Sequence, residues 1–352
     1  MTSSRAATPL PDLPDDLDPT WLPDLASRAL GGGVVGANDE FFAAADNLLN
    51  PYPPGYAPST FGAKGQVYDG WETRRRRQPG SDHVIVRLGA PGVVRAVLID
   101  TAFFTGNYPP YAAVDGCDLA GYPGPAELAA AQWTPLVPRT ALAGDAQVVV
   151  AVDAPARQTH VRLTIFPDGG VARLRVYGEP VPDPTMLTEV LDLAAVEHGA
   201  RVEACSDRFY GSPQQMLLPG PARTMGEGWE TARRRDDGND WVQVRLCASG
   251  VIEFVEVDTS HFKGNAPAAA RLRGVDASVA DSADPADSAG WSDLLPTTAL
   301  QPDTRHRFRL DRPRPATHVR LDIFPDGGLA RLRCYGRLTA TGAADLARRY
   351  HT

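Results

Sequence analysis

Two arginine runs stand out as places where this sequence could do chemistry. Arg74 to Arg77 follow Gly70-Trp71-Glu72-Thr73, and Arg233 to Arg235 follow Gly228-Trp229-Glu230-Thr231-Ala232. A guanidinium fork suits a small anion such as a carboxylate, although a charge run also serves as a solvated face. A second pattern, Asp-Thr-x-x-Phe-x-Gly-Asn, occurs as Asp100 to Asn107 and as Asp258 to Asn265. Polar groups at the end of a strand beside a turn are well placed to reach a ligand, yet Asp-Thr and Gly-Asn also form turns readily. The two versions differ at Phe103/His261 and Thr105/Lys263. His261 and Lys263 therefore offer acid-base and anion-binding groups that the first version lacks. Asp39 and Asp207, each followed by aromatics, could hold a cation or a ligand amide, or could cap a turn.

These patterns are parts of one long duplication. Gly70 and Gly228 begin matching segments 158 residues apart, and the same offset relates Asp100-Thr101 to Asp258-Thr259, Trp133 to Trp291, and Thr159 to Thr317. The last pair opens THVRLTIFPDGGVARLRVYG and THVRLDIFPDGGLARLRCYG. Upstream, Asp39 aligns with Asp207 at an offset of 168. The first copy thus carries about ten extra residues in PYPPGYAPSTFGAKG, a Pro/Gly-rich loop. A repeat of this length predicts two autonomous domains rather than solenoid units. The expected organisation is a leader over 1–22, a first repeat over 23–180, a second over 181–340 and a tail over 341–352.

Inside each copy, segments such as His83 to Leu88 and Trp241 to Leu246 alternate apolar and polar residues, as half-buried strands do. Short strands separated by Gly, Pro and Asp clusters predict an all-β fold, two tandem antiparallel sandwiches of jelly-roll type. FPDGG reads as a tight connection between strands, and Met186 to Ala200 reads as a short helix. His160 and His318, in strand-like THVRL, read as structural.

Composition narrows the function. The 352 residues carry a formal net charge of -8, which provides no broad cationic surface and argues against nucleic acid as a partner. The N-terminal residues have no apolar core of a signal sequence, and no apolar run is long enough for a membrane helix. A cytoplasmic protein is the expectation. Cys117, Cys205, Cys247 and Cys334 lack CxxC spacing, so free thiols are expected rather than a zinc or redox site. No cofactor is indicated with certainty, and a divalent metal stays open because scattered Asp and His follow no spacing rule.

In combination and order, LASRALGGGVVGANDEFFA from Leu25, DGWETRRRR from Asp69, CSDRFYGSPQ from Cys205, GEGWETARRR from Gly226 and DTSHFKGN from Asp258 closely resemble the allantoicase family. The resemblance covers nearly the whole chain, from about Leu25 to Gly336. It implies two galactose-binding-like jelly rolls, a homo-oligomer, and hydrolysis of allantoate to ureidoglycolate and urea in purine breakdown. One departure is Ala266-Pro267-Ala268-Ala269 after the second Gly-Asn, where an aromatic, Pro, an acid and Ser are common in the family. Another is His83, which stands opposite Trp241. Such a substrate needs a cation for its carboxylate, amide-type partners for its ureido groups, and a proton donor and a base at the carbon-nitrogen bond. On that reasoning His261, Lys263, Asp258 and Asp100 are the catalytic candidates. The substrate-binding candidates are Arg75, Arg76, Arg233, Arg234, Thr101, Asn107 and Asn265, with Glu72 and Glu230 orienting the arginines. The competing readings are a galactose-binding-like module that holds a ligand without transforming it, and an assembly protein.

Overall fold

The computed structural model describes residues 22–277 and 290–351. All but the last residue of the expected leader lies outside them. Packing divides the chain into two compact units, one holding Asp24–Glu179 and the other Pro180 onward.

Each unit is organised by one long bent strand. In the first, Asp82–Asp100 alternates buried and half-buried residues along most of its length, as the period-two pattern predicts for a strand with one face in the core. Its first half pairs antiparallel with Gly33–Ala37 and Arg157–Phe166. Its second half pairs with Gln147–Ala151 and Arg173–Pro180. The pairing slips between Arg87 and Gly92, which bends the strand and lets it take part in both layers of a sandwich. Tyr111–Cys117 and Thr134–Ala141 extend the sheet beyond Arg157–Phe166.

The second unit repeats this arrangement around Asp240–Asp258, with the slip between Arg245 and Gly250. Arg201–Cys205 and Pro315–Phe324 take one half, and Arg305–Arg309 and Arg331–Leu338 take the other. The all-β tandem sandwich read from the sequence is therefore the fold. The four cysteines are free. Burial pushes the Cys247 thiol up to about 12, so it is an unreactive core group.

Two segments depart from the sequence reading. Met186 to Ala200 forms no α-helix: it holds the short strand Leu191–Asp192, paired with Tyr335 and Gly336, and a 3-10 turn at Val196–His198. Leu191, Leu193, Ala194 and Val196 are all buried, and the Asp192 carboxylate accepts from the Ala194 and Cys334 amides. Docking against the sheet overrides helical preference here. Residues read as a C-terminal tail form the helix Ala340–His351, with Leu346 buried against its own unit.

The Phe-Pro-Asp-Gly-Gly connection is closely packed in both copies. Gly169 and Gly327 adopt φ of +141° and +132°, a region open to glycine. The glycine that follows each has no room for a side chain. A Cβ on Gly170 would lie 2.0 Å from the Phe104 ring, and one on Gly328 would lie 1.9 Å from the Phe262 ring. Both rings are fully buried and cannot give way. Gly328→Ala should therefore destabilise the protein by about 2 kcal/mol through overpacking, read as a lower urea midpoint, and Phe262→Leu in the same chain should recover part of the loss.

Candidate functional site

In each unit three loops meet at one end of the sandwich: the Trp-Glu-Thr segment, the Asp-Thr-x-x-Phe-x-Gly-Asn turn and the Pro-Asp-Gly-Gly turn. Hydrogen bonds lace them together. The Thr73 amide donates to Gly169 O (3.2 Å) and the Gly169 amide returns to Thr73 Oγ1 (3.1 Å). Thr231 and Gly327 repeat the exchange at 3.1 and 3.0 Å. The Gly170 and Gly328 amides donate to the carbonyls of Asn107 and Asn265. Trp71 and Trp229 are fully buried, and their indole N–H groups donate to the carbonyls of Asp39 and Asp207.

This lattice assigns roles to residues that the sequence left ambiguous. Asp39 caps its own turn by accepting from the Phe41 and Arg74 amides and from the Arg74 guanidinium. Burial works against ionisation there, but those donors outweigh it and hold the carboxyl below its usual range. Asp207 likewise accepts from the Phe209 and Ala232 amides. Asp100 and Thr101 are buried and spent on the fold. The Asp100 carboxylate accepts from the Ala102 amide and from Gln147, while Thr101 Oγ1 donates to Ala143 O and Ala146 O. Asp258 and Thr259 do the same work in the second unit, toward Ser260 and toward Gln301 and Thr304.

The arginines divide in two. Arg76 is folded inward, its amide donating to Asp168 and its guanidinium to the buried Asp82 at 2.5 Å. Arg234 mirrors it, with its amide on Asp326 and its guanidinium on the buried Asp240 at 2.7 Å. Both are staples between the arginine loop and the sheet. Arg75 and Arg233 are exposed, and no hydrogen bond or ion pair engages either guanidinium among the described residues.

Glu72 and Glu230 do not hold the arginines in place. Each is half-buried and accepts from an asparagine instead: Asn107 Nδ2 donates to Glu72 Oε1 at 2.6 Å, and Asn265 Nδ2 donates to Glu230 Oε1 at 2.5 Å. Burial pushes the Glu72 carboxyl above the ordinary glutamate value, with the Asn107 hydrogen bond acting in the opposite direction. A carboxyl that keeps its proton more readily, fixed by one amide, is the arrangement a general acid requires.

His261 sits at φ +74°, its ring Nε2 lying 2.9 Å from Ala222 O. A carbonyl only accepts, so this nitrogen carries the proton. Lys263 is exposed and lies 3.8 Å from Asp303. Among the described residues, no three His, Cys, Asp or Glu side chains come together as a metal-binding group. No helix among them is long and apolar enough to cross a membrane.

The duplicated framework matches known proteins over most of the chain. The allantoicase repeat family model matches residues 23–181 and 191–339. The chain belongs to the allantoicase family. A Nocardia farcinica protein named "Probable allantoicase" is 55% identical over 91% of this chain and 95% of its own. A protein of the same name from Streptomyces coelicolor is 49% identical, over 95% of this chain and 90% of its own. Among solved structures, Saccharomyces cerevisiae allantoicase is 33% identical with a TM-score of 0.75, covering 89% of this chain and 92% of that one.

Within this family framework, the sequence candidates that the structure joins are Glu72 with Asn107 and Glu230 with Asn265. Asp100, Asp258 and Thr101 serve their own turns, and His261 and Lys263 lie on the loop that carries Asn265. Asp168 and Asp326 carry no signal in the sequence, because the Arg76 and Arg234 amides they accept from, four residues past each Glu, come opposite them only in the folded register. Arg234→Ala leaves the buried Asp240 without its cation, so it should cost about 2 kcal/mol in stability. Arg233→Ala, from an exposed position, should shift stability by less than about 0.5 kcal/mol. Parallel urea denaturation of the two variants reads the contrast.

Proposed function

We propose that this chain hydrolyses allantoate to ureidoglycolate and urea, with the Glu–Asn pairs as the proton-handling groups. The observation that carries this reading is the half-buried glutamate bonded to a single side-chain amide, Glu72 on Asn107 and Glu230 on Asn265, within an allantoicase framework, with burial raising the Glu72 carboxyl.

The bond to be broken joins the α-carbon of allantoate to a ureido nitrogen. A protonated Glu72 gives its proton to that nitrogen, and urea leaves with the bonding electron pair. The remaining ureido nitrogen shares its lone pair with the α-carbon as the bond breaks. The carboxylate then takes a proton from water as the hydroxide adds to that carbon, which yields ureidoglycolate and restores the acid. One carboxyl thus serves both halves of the reaction in turn. The asparagine fixes which oxygen carries the proton by occupying the other. Arg75 and Arg233, exposed beside the pairs in sequence, offer the fork for the substrate carboxylate. Asp100 and Asp258, whose oxygens are committed to backbone and side-chain donors, are positioning groups in this scheme. His261 and Lys263 shape the second loop. The same reading brings a cytoplasmic, homo-oligomeric enzyme of purine breakdown, acting on a small molecule rather than nucleic acid.

The decisive experiment follows urea release from allantoate by the purified chain, with and without prior chelator treatment, beside a Glu72→Gln/Glu230→Gln double variant. The double variant should lose at least about a hundredfold in kcat, whereas Arg75→Ala/Arg233→Ala should raise KM. A chain that folds but releases no urea favours a binding module instead. Loss of activity after chelation, restored by a divalent ion, would add a metal to the scheme.

Stability offers an independent check. Because the folded-state pKa of Glu72 lies above its unfolded value, its contribution is fully present below about pH 4 and is lost as pH rises through the raised value. Glu72→Gln keeps an acceptor for Asn107 and removes the buried charge. Its Tm relative to the parent chain should therefore climb between about pH 4 and about pH 7.

A further inference from the structure

The two Glu–Asn pairs are framed alike but walled differently. In the first unit Tyr68 stacks on the buried Phe104 at 4.8 Å between ring centroids. Tyr56, from the loop that lengthens this copy, stacks on Tyr68 at 6.1 Å and on Phe103 at 5.2 Å, nearly parallel to the latter at 15°. The rings run as a column from the core to the surface, where Tyr56 keeps 45% of its surface exposed. Tyr68 and Phe103 stand four residues before Glu72 and Asn107 on the two loops that carry the pair, and Gly170, packed on the Phe104 ring, donates its amide to the Asn107 carbonyl, so the column and the pair share one loop assembly. The long loop is anchored on its other side: the Gly55 amide donates to Asp69, and the buried Arg173 binds both Asp69 and the Tyr52 carbonyl.

In the second unit Gly226 occupies the place of Tyr68, His261 that of Phe103, and no residue corresponds to Tyr56. Met225 approaches Asn265 there, its sulfur 4.0 Å from Nδ2. Position 103/261 is also backbone-strained in both copies, with φ of +69° at Phe103 and +74° at His261. Each is pinned by its amide donating to Asp145 or Asp303 at 2.7 Å. A bulky residue held in the left-handed region of both copies marks a position whose direction matters.

We propose that the Phe103–Tyr56–Tyr68 column is a stacking wall for a planar ureido group of the substrate, which makes the first repeat the half that discriminates substrate. This rests on the function proposed above. A ureido group is flat and polar only at its rim. An aromatic face covers its plane while Glu72 and Asn107 meet its nitrogens and oxygen, the combination of apolar wall and few polar groups typical of small-molecule sites. The second repeat keeps the polar pair without the wall.

Urea release is measured for the full-length chain and for Tyr56→Ala, Tyr56→Leu and Tyr56→Phe, with Tm read in parallel. The expected result is a rise in KM for allantoate of about five- to tenfold in the alanine and leucine variants. kcat should stay within about twofold, and Tyr56→Phe should keep the parent KM. Leucine fills the space without a π face, so it separates stacking from loop support and also serves if the alanine variant fails to fold. Unchanged KM in folded alanine and leucine variants overturns the wall while leaving the hydrolytic function standing. So does a KM restored by leucine. No urea from the parent chain overturns the function and this inference together.

Discussion

The meeting of the Pro-Asp-Gly-Gly turn with a buried phenylalanine is the constraint on which the rest of each repeat depends. Gly170 and Gly328 let the Phe104 and Phe262 rings lie directly against the backbone. That contact brings the turn close enough to exchange hydrogen bonds with Thr73 or Thr231 on one side and with Asn107 or Asn265 on the other. Dispersion falls off steeply with distance, and hydrogen bonds tolerate only a few tenths of an ångström. A displaced turn would therefore lose all three loops at once. The glutamate and asparagine of the candidate site lie on two of these loops, so their 2.6 Å contact in the first repeat follows from a packing event in the core.

Loops that carry polar side chains must also settle their backbone groups. Here buried arginines do so. Arg331 donates to the carbonyls of Gly220, Glu227 and Ala330, and Arg173 to those of Tyr52, Asp69 and Ala172. Burial, followed by the neighbouring Arg333, pulls Arg331 down to about 10. It stays charged at neutral pH, and each carbonyl it satisfies would otherwise be an acceptor stranded away from water. This explains why the sequence after FPDGG continues Val-Ala-Arg or Leu-Ala-Arg in both copies: the arginine belongs to the loop assembly rather than to a ligand.

Much of the fold was legible because its signals are local. Period-two alternation exposed the strands, Gly and Pro exposed the turns, and the constant offset of 158 residues exposed the duplication. The site was legible only by region. Neighbouring arginines look alike in sequence, yet Arg76 is committed to Asp82 while Arg75 faces solvent. Which of them turns inward depends on a register set by Asp168, some ninety residues away. The same holds for Glu72, whose spacing suggested a partner among the adjacent arginines, whereas its partner Asn107 comes from another loop. Residues 186–200 misled for the opposite reason: their apolar spacing suits a helix, but the edge of a sheet was there to receive them.

Where the copies agree and where they differ separates scaffold from specialisation. The Thr–Gly exchange, the Glu–Asn pair, the Arg–Asp staple and the capping Asp are the same in both. Each of these joins two loops, so a change in one member would strand a buried partner. The side chains at 68/226 and 103/261 are not members of those pairs and can diverge without such a cost. Yet the left-handed backbone at 103/261 persists in both copies, although a bulky Phe is an outlier there and glycine would relieve the strain in either. A turn kept for geometry alone would be expected to take the glycine. Keeping a large side chain there, aromatic in one copy and imidazole in the other, is consistent with a requirement imposed by what the side chain meets.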